Sequence, residues 1–478
     1  MAKGSVVYGI GGVLQRFLSL LLLPFFTRVL SPQEYGVVAL VGLVAMALSG
    51  LFSLGTGSSM SILYFECDTR SERHKVVWST AALLTVNCIV LLAVLVAAAP
   101  YISHVVFETT EYANLLRIAF TSTMIVVVLE PFYAFLRLEG KAARFVTLSV
   151  VGAVAGALIS IVLVLVLGWG IQGLLLASLF AQILSATLVA VTVAPHLMFG
   201  ITTRFFVPLV RIGFPSIFGV FAFFVIDYLD RQMLQRMIGL DAVGVYSVGY
   251  NLGLVMLIAV SAFGMAWPPF FTSFIKRQEE AKLLFGKILN YYLIVFGGLA
   301  ALFFVAAKPL VTMLAPDFVT AGQIIGLVAA AYMLKGAYLI ILPGIYFAKK
   351  LHWQSAVEWI AAIANIGLNL LLIPVFGIVG AAVATLVSYA LMTTLAWMVA
   401  RHYLAVQYHW RQIATAVGGL GVTCGWVSWA SMQFSFSGLA IHSLLALSVL
   451  FFVFGFYVLD RSERNALTAQ VIQLVQRS

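Results

Sequence analysis

The sequence contains few charged residues and few cysteines, and both shortages limit what the protein can be. Only 9% of its 478 residues are charged, while 63% are hydrophobic. Soluble globular domains carry about 25% charged residues, so a soluble globule is excluded. The three cysteines, Cys67, Cys88 and Cys424, are scattered along the chain. They predict neither a disulfide framework nor a metal site.

The sequence also lacks the signatures of membrane enzymes. It contains no Walker motif or other nucleotide-binding sequence, so ATP is not expected to drive it directly. The longest outer connection, around 100–112, holds Glu108 and Glu111 and few other polar groups. A membrane glycosyltransferase or polymerase usually needs a larger outer loop for its catalytic groups. We therefore expect the protein not to be an enzyme, and the histidines show no metal-ligand spacing.

Long apolar runs fill the chain instead. Runs of roughly 18–25 residues have the length of membrane-spanning helices, and they lack the alternation of barrel strands. The predicted fold class is an all-α integral membrane protein with fourteen transmembrane helices. The first run is expected to be a span rather than a cleaved signal peptide. The helices are predicted at roughly 5–30, 36–64, 76–99, 113–137, 144–167, 171–193, 208–236, 242–266, 287–307, 322–347, 354–373, 377–401, 412–430 and 440–459.

The net charge of +10 raises the question of a nucleic-acid partner. Most of the 27 lysines and arginines, however, lie in the tails and in alternate connections between the predicted helices. An excess of lysine and arginine on one side marks the cytoplasmic face of a membrane protein. We therefore predict that both termini are cytoplasmic and that no nucleic acid binds.

Several motifs occur twice. The first apolar run ends at Thr27-Arg28, and a polar turn, Ser31-Pro32-Gln33-Glu34-Tyr35-Gly36, follows it. The pattern returns at 236–247, where Gly244 takes the place of Gly36. Gly170-Ile-Gln-Gly173 likewise returns as Gly377-Ile-Val-Gly380, and Pro131 returns as Pro343. Parallel six-helix repeats of this kind are typical of transporters with a substrate site at the repeat interface. The predicted domains are an N-terminal lobe at 1–193, a cytoplasmic linker at 194–207, a C-terminal lobe at 208–401, two further helices within 412–459 and a cytoplasmic tail at 460–478.

The motif around Thr27-Arg28 and Ser31–Gly36, the repeated Gly-Ile-x-Gly starts and the fourteen-helix count resemble the polysaccharide transport branch of the MATE/MOP superfamily, and Wzx-type flippases in particular. The resemblance implies a flippase that moves undecaprenyl-pyrophosphate-linked oligosaccharide repeat units across the bacterial inner membrane by alternating access. The product would be a surface polysaccharide, either lipopolysaccharide or exopolysaccharide. Expected partners are the lipid-linked oligosaccharide, membrane lipids, a polysaccharide polymerase and a chain-length regulator. A lipid II flippase and a MATE-type multidrug or cation antiporter are the alternatives.

Two cations are predicted to bind the substrate, Arg16 in the first run and Lys335 in the run 322–347. A charge at the bilayer centre costs roughly 2.5–3.5 kcal/mol, so it is expected to face the protein interior or a wet cavity. There it could hold the pyrophosphate. The alternative is a structural cation paired with an acid such as Glu130 or Glu358.

Other polar residues inside the spans are candidates for coupling a proton or Na⁺ gradient to transport. They are Asp227, Asp230, Glu358, Asn365 and Asn369. Their alternative roles are an Asp227–Arg231 pair and hydrogen bonds between helices. We expect no metal and no other cofactor.

Glu130 and Arg231 are the gate candidates. Glu130 could complete a cytoplasmic gate with Arg137, or it could pair locally beside Pro131.

Overall fold

The computed structural model describes residue 18, residues 20–434 and residues 436–458, apart from a few side chains within them. Arg16 and the predicted tail at 460–478 lie outside the described residues. Within the described residues the chain is helical and forms no strand. The helices, numbered in chain order, are α1 Pro32–Ser53, α2 Thr56–Glu66, α3 Arg70–Phe107, α4 Ala113–Leu138, α5 Ala142–Ser160, α6 Gly170–Thr192, α7 Phe206–Met237, α8 Leu240–Gly253, α9 Met256–Thr272, α10 Gln278–Leu314, α11 Gly322–Ile341, α12 Pro343–Phe347, α13 Leu351–Ala400, α14 Trp410–Gln433 and α15 Phe436–Val453.

Nine helical segments among the described residues are long and apolar enough to cross a membrane, or ten if the bent pair α8 and α9 forms one span. The prediction of an all-α, multi-pass membrane protein is confirmed, while the count of fourteen stays a prediction. The 50-residue helix α13 covers two predicted helices. It is broken at Gly377, whose φ of 58° and ψ of −133° are open to glycine and costly for other residues.

The start of α1 shows how local chemistry sets a helix boundary. The Ser31 side chain accepts a hydrogen bond from the Glu34 backbone N–H, and the Glu34 carboxylate accepts one of 2.9 Å from the Ser31 backbone N–H. Pro32 occupies the first helical position, where a missing N–H costs nothing. This capping box satisfies two otherwise unpaired donors. The helix therefore begins at Pro32, four residues before the predicted start.

The chain forms two compact units. The first is Met1–Ser247 with Leu314–Asp317, and the second is Val248–Met313 with Phe318–Ser478. The predicted lobes rest on the internal repeat and stay a prediction.

The two copies of the opening motif contact each other inside the first unit. A Cβ on Gly36 would overlap the Leu240 carbonyl oxygen, and a Cβ on Gly244 would overlap the Pro32 carbonyl oxygen. Small residues let two helix backbones approach this closely. Since Pro32 and Leu240 occupy matching places in the two copies, the crossing of α1 and α8 is symmetric. We call this contact the glycine crossing.

Candidate functional site

Lys335 lies on α11 in the second unit, and its side chain is half-buried. Its ammonium nitrogen lies 5.2 Å from the ring centroid of Tyr332 and 5.2 Å from that of Tyr389. Both tyrosines are fully buried, and the Tyr332 hydroxyl lies 2.8 Å from the Tyr250 hydroxyl. Aromatic faces attract a cation through their quadrupole. The two rings therefore hold the Lys335 charge in a defined place inside the bundle.

Glu358 lies on α13, which packs along α11, and it is 4% exposed. Its Oε1 atom accepts a hydrogen bond of 2.8 Å from the Tyr338 hydroxyl and one of 2.9 Å from the Gln354 side-chain amide. Tyr338 follows Lys335 by three positions and shares its face of α11. The structure thus places Glu358 on the same α11–α13 seam as Lys335.

Asn365 and Asn369 follow Glu358 along α13, and both are fully buried. The Asn369 amide nitrogen donates to the Asn365 side-chain oxygen and to its main-chain oxygen, each at 2.9 Å. The Asn365 Nδ2 and the Asn369 Oδ1 have no hydrogen-bond partner among the described residues. An unpaired buried polar atom costs roughly 1–3 kcal/mol. A ligand that binds here could recover that energy.

Asp227, Asp230 and Arg231 lie on α7 in the first unit, and all three are buried. The Arg231 guanidinium ion-pairs with Asp230 at 3.2 Å and donates a hydrogen bond of 2.7 Å to the Asp227 main-chain oxygen. The Tyr246 hydroxyl donates to the other Asp230 oxygen. One ion pair of Arg231 is therefore with Asp230, the adjacent residue. The main-chain carbonyl oxygen of Asp227 accepts a hydrogen bond from the Arg231 guanidinium. Helical spacing alone does not predict this contact.

Glu130 and Arg137, both on α4, form an ion pair of 2.5 Å. Their side chains are 43% and 40% exposed. Both line a cavity of about 670 Å³ that α4, α5 and α6 enclose in the first unit. The local pairing considered for Glu130 is therefore present, and its role as a gate stays a prediction.

Sequence reasoning missed this cavity. Its wall is built partly from small residues at helical spacing on α5 and α6: Gly152, Gly156, Ala177 and Ala181. This small-residue pattern was the available signal, although it usually indicates close helix packing. Here the small residues do both: a Cβ on Gly156 would lie 3.1 Å from the Ala181 Cβ of α6, and the same two residues line the cavity. Among the described residues, no group of three or more histidine, cysteine or acidic side chains is arranged to hold a metal ion.

The sequence and the fold both match known proteins. The family described as polysaccharide biosynthesis protein matches residues 1–275. The succinoglycan biosynthesis transport protein ExoT of Rhizobium meliloti (strain 1021) is 23% identical over 349 residues, which cover 71% of this chain and 68% of that protein.

Solved structures of other proteins share the fold. The lipid II flippase MurJ, in an inward closed conformation, has a TM-score of 0.75 at 14% identity and covers 94% of this chain and 98% of its own. An inward-facing multidrug resistance MATE family transporter of the MOP superfamily has a TM-score of 0.67 at 14% identity, covering 82% and 94%. The predicted resemblance to polysaccharide transport proteins is confirmed, and this chain belongs to the family described as polysaccharide biosynthesis protein.

Proposed function

We propose that the protein is a flippase that moves undecaprenyl-pyrophosphate-linked oligosaccharide repeat units across the bacterial inner membrane. The family match supports a part in polysaccharide biosynthesis, and the similarity to a succinoglycan biosynthesis transport protein supports transport. The Lys335 cation, 5.2 Å from each of two tyrosine rings, supports an anionic headgroup. The oligosaccharide would feed a polymerase and a chain-length regulator that make lipopolysaccharide or exopolysaccharide. The protein itself would perform no chemistry on it.

A pyrophosphate cannot cross the bilayer core unaided, because an isolated ion in a medium of low dielectric constant loses its hydration energy. The protein must supply compensating charge. Lysine binds phosphate as a compact point charge with three donors. Lys335 would supply that charge while access alternates between the two sides of the membrane, with both termini in the cytoplasm. Arg16 is the second cation proposed for this role.

The test replaces Lys335 in a flippase-deficient source strain and measures surface polysaccharide at matched protein levels. Lys335→Met keeps the length of the side chain and removes the charge. A hydrogen bond to a charged group contributes about 1.5–3 kcal/mol, so we expect export to fall about 10- to 100-fold. Lys335→Arg should retain part of the export. Lys287→Met, at an exposed lysine of the same unit, is the control, and wild-type export by Lys335→Met would contradict the role.

We further propose that transport is coupled to a Na⁺ or proton gradient, with Asp227, Asp230, Glu358, Asn365 and Asn369 as the coupling residues. The unpaired Asn369 Oδ1, buried on α13, supports a cation, since alkali and alkaline-earth cations take oxygen ligands. The purified protein should then melt at a higher temperature in NaCl than in KCl, and Asn369→Ala should abolish the difference. Asp227→Asn should remove gradient dependence in vesicles. An unchanged salt response in Asn369→Ala would exclude that side chain.

Because the chain shares its fold with the lipid II flippase, lipid II is a second candidate substrate. Both substrates are lipid-linked saccharides on a pyrophosphate, so the site chemistry does not separate them. Complementation does. A host depleted of its own lipid II flippase should not grow on this protein, while the source strain lacking this gene should regain surface polysaccharide.

A further inference from the structure

The cavity of the first unit has the form of a ligand site. Its volume of about 670 Å³ falls within the range of about 300–1,000 Å³ that ligand pockets occupy. The small residues Gly152 and Gly156 on α5 and Ala177 and Ala181 on α6 form one wall. Aromatic side chains, among them Tyr133 and Phe145, form another, with ring centroids 5.8 Å apart and nearly perpendicular planes.

The charge of the cavity limits what could occupy it. Glu130 and Arg137 are the charged residues that line it among the described residues, and they pair with each other at 2.5 Å. The Arg137 guanidinium also lies 5.4 Å from the Phe145 ring centroid. The described wall is therefore neutral overall. The described wall offers neither the excess of cations that favours a pyrophosphate nor the excess of acids that favours a cationic drug.

The remaining polar groups match a neutral, polyhydroxylated ligand. Ser178, Gln182 and Ser185 line the cavity from α6, and the first two are one helical turn apart. Hydroxyl and amide groups both donate and accept hydrogen bonds, as sugar hydroxyls do. A pyranose ring also has a face of C–H groups that packs on an aromatic ring.

We infer that this cavity of the first unit is a saccharide subsite of the transporter. The inference rests on the proposed function and extends it. The glycan would lie between the aromatic wall of α4 and α5 and the hydroxyl-bearing face of α6. The Glu130–Arg137 pair at the exposed edge would offer both acceptors and donors to the sugar hydroxyls.

The first test measures protection of a cysteine introduced into the cavity. Ser178 is exposed to the cavity, so Ser178→Cys, in a chain whose three native cysteines are alanine, should react with a maleimide. The probe is the water-soluble oligosaccharide that mild acid releases from the lipid fraction of the source strain lacking this gene. It should slow labelling at least several-fold, and inorganic pyrophosphate should not. Ser273→Cys, exposed on another segment, should be unaffected. Absence of protection by the oligosaccharide, or protection by pyrophosphate, overturns the inference.

The second test fills the cavity. Ala153 lines it, whereas Val154, the next residue of α5, is 41% exposed and does not. Added to the purified Ser178→Cys chain, Ala153→Phe should abolish protection of that cysteine by the oligosaccharide. Ala153→Phe should also lower export at least tenfold, and Val154→Phe should change neither protection nor export. Equal export by the two variants at matched levels would overturn the subsite. If the oligosaccharide protects the Ser178→Cys chain while the wild-type chain restores no export, the proposed function is overturned and the subsite stands.

Discussion

Replacing Gly244 with alanine should destabilise the protein through the glycine crossing. The new Cβ would overlap the Pro32 carbonyl oxygen, and it would lie 2.7 Å from the Pro32 carbonyl carbon and 3.0 Å from the Gly36 nitrogen. All three atoms belong to the backbone, so no side chain can rotate away and α1 must separate from α8. Overpacking of a well-packed site costs about 1–3 kcal/mol. Because the obstacle here is backbone, we expect Gly244→Ala to reach the upper end of that range.

A matched control lies on the same helix pair. Gly42, also on α1, has nothing within 4 Å of its missing Cβ. Gly42→Ala should therefore be neutral or stabilising by up to about 1 kcal/mol, because alanine has the higher helix propensity. The assay is the melting temperature of the purified protein in detergent. Gly36→Ala should behave like Gly244→Ala. The double variant should cost less than the sum of the two single variants, because helices already separated accept a second methyl group. Equal melting temperatures of the Gly244→Ala and Gly42→Ala proteins would contradict this prediction.

Two further predictions concern ion pairs and hydrogen bonds of the first unit. The Tyr64 hydroxyl donates a 2.6 Å hydrogen bond to Glu139 and lowers the pKa of that carboxyl group. The resulting stabilisation is complete above the unfolded pKa of about 4.3 and is lost as the pH falls through the folded value. Melting temperatures from pH 7 to pH 3 should show this loss, and Tyr64→Phe should flatten the profile. Arg231→Met should cost about 3–5 kcal/mol by leaving the buried Asp230 unpaired. Adding Asp230→Asn should recover part of that cost in the same melting assay.

Local features of the fold could be predicted because the residues responsible are adjacent in sequence. The capping box of Ser31 and Glu34 is written within four residues, and its Pro32 predicts a boundary there. The break of α13 is similarly marked by Gly377, at the start of a repeated Gly-Ile-x-Gly motif. The predicted turn, which runs from Ser31 to Gly36, is too long, because the helix already begins at Pro32.

The arrangement of the candidate sites depended on packing that the sequence does not display. The cost of burying a charge in a membrane makes Lys335 a candidate from sequence alone. The two tyrosine rings that its ammonium approaches come from its own helix and from α13, and their positions depend on how the two helices pack. The Asp230 partner of Arg231 was missed because spacing favours Asp227, while Tyr246 from α8 holds Asp230 in place. The cavity of the first unit was missed because small residues on α5 and α6 predict close packing of the two helices, which they form, and do not predict the space that they also line.

The glycine crossing has a further meaning for the history of the chain. Gly36 contacts the Leu240 carbonyl, and Gly244 contacts the Pro32 carbonyl. Pro32 and Leu240 hold the same place in the two copies of the motif, so each copy contacts the other through the same surface. Such self-complementary contact is the hallmark of an isologous two-fold dimer. An ancestor of half the length, with one copy of this motif, would therefore have buried the motif by forming a homodimer. Fusion of two such genes would retain the glycine crossing, while the rest of each half could diverge in sequence.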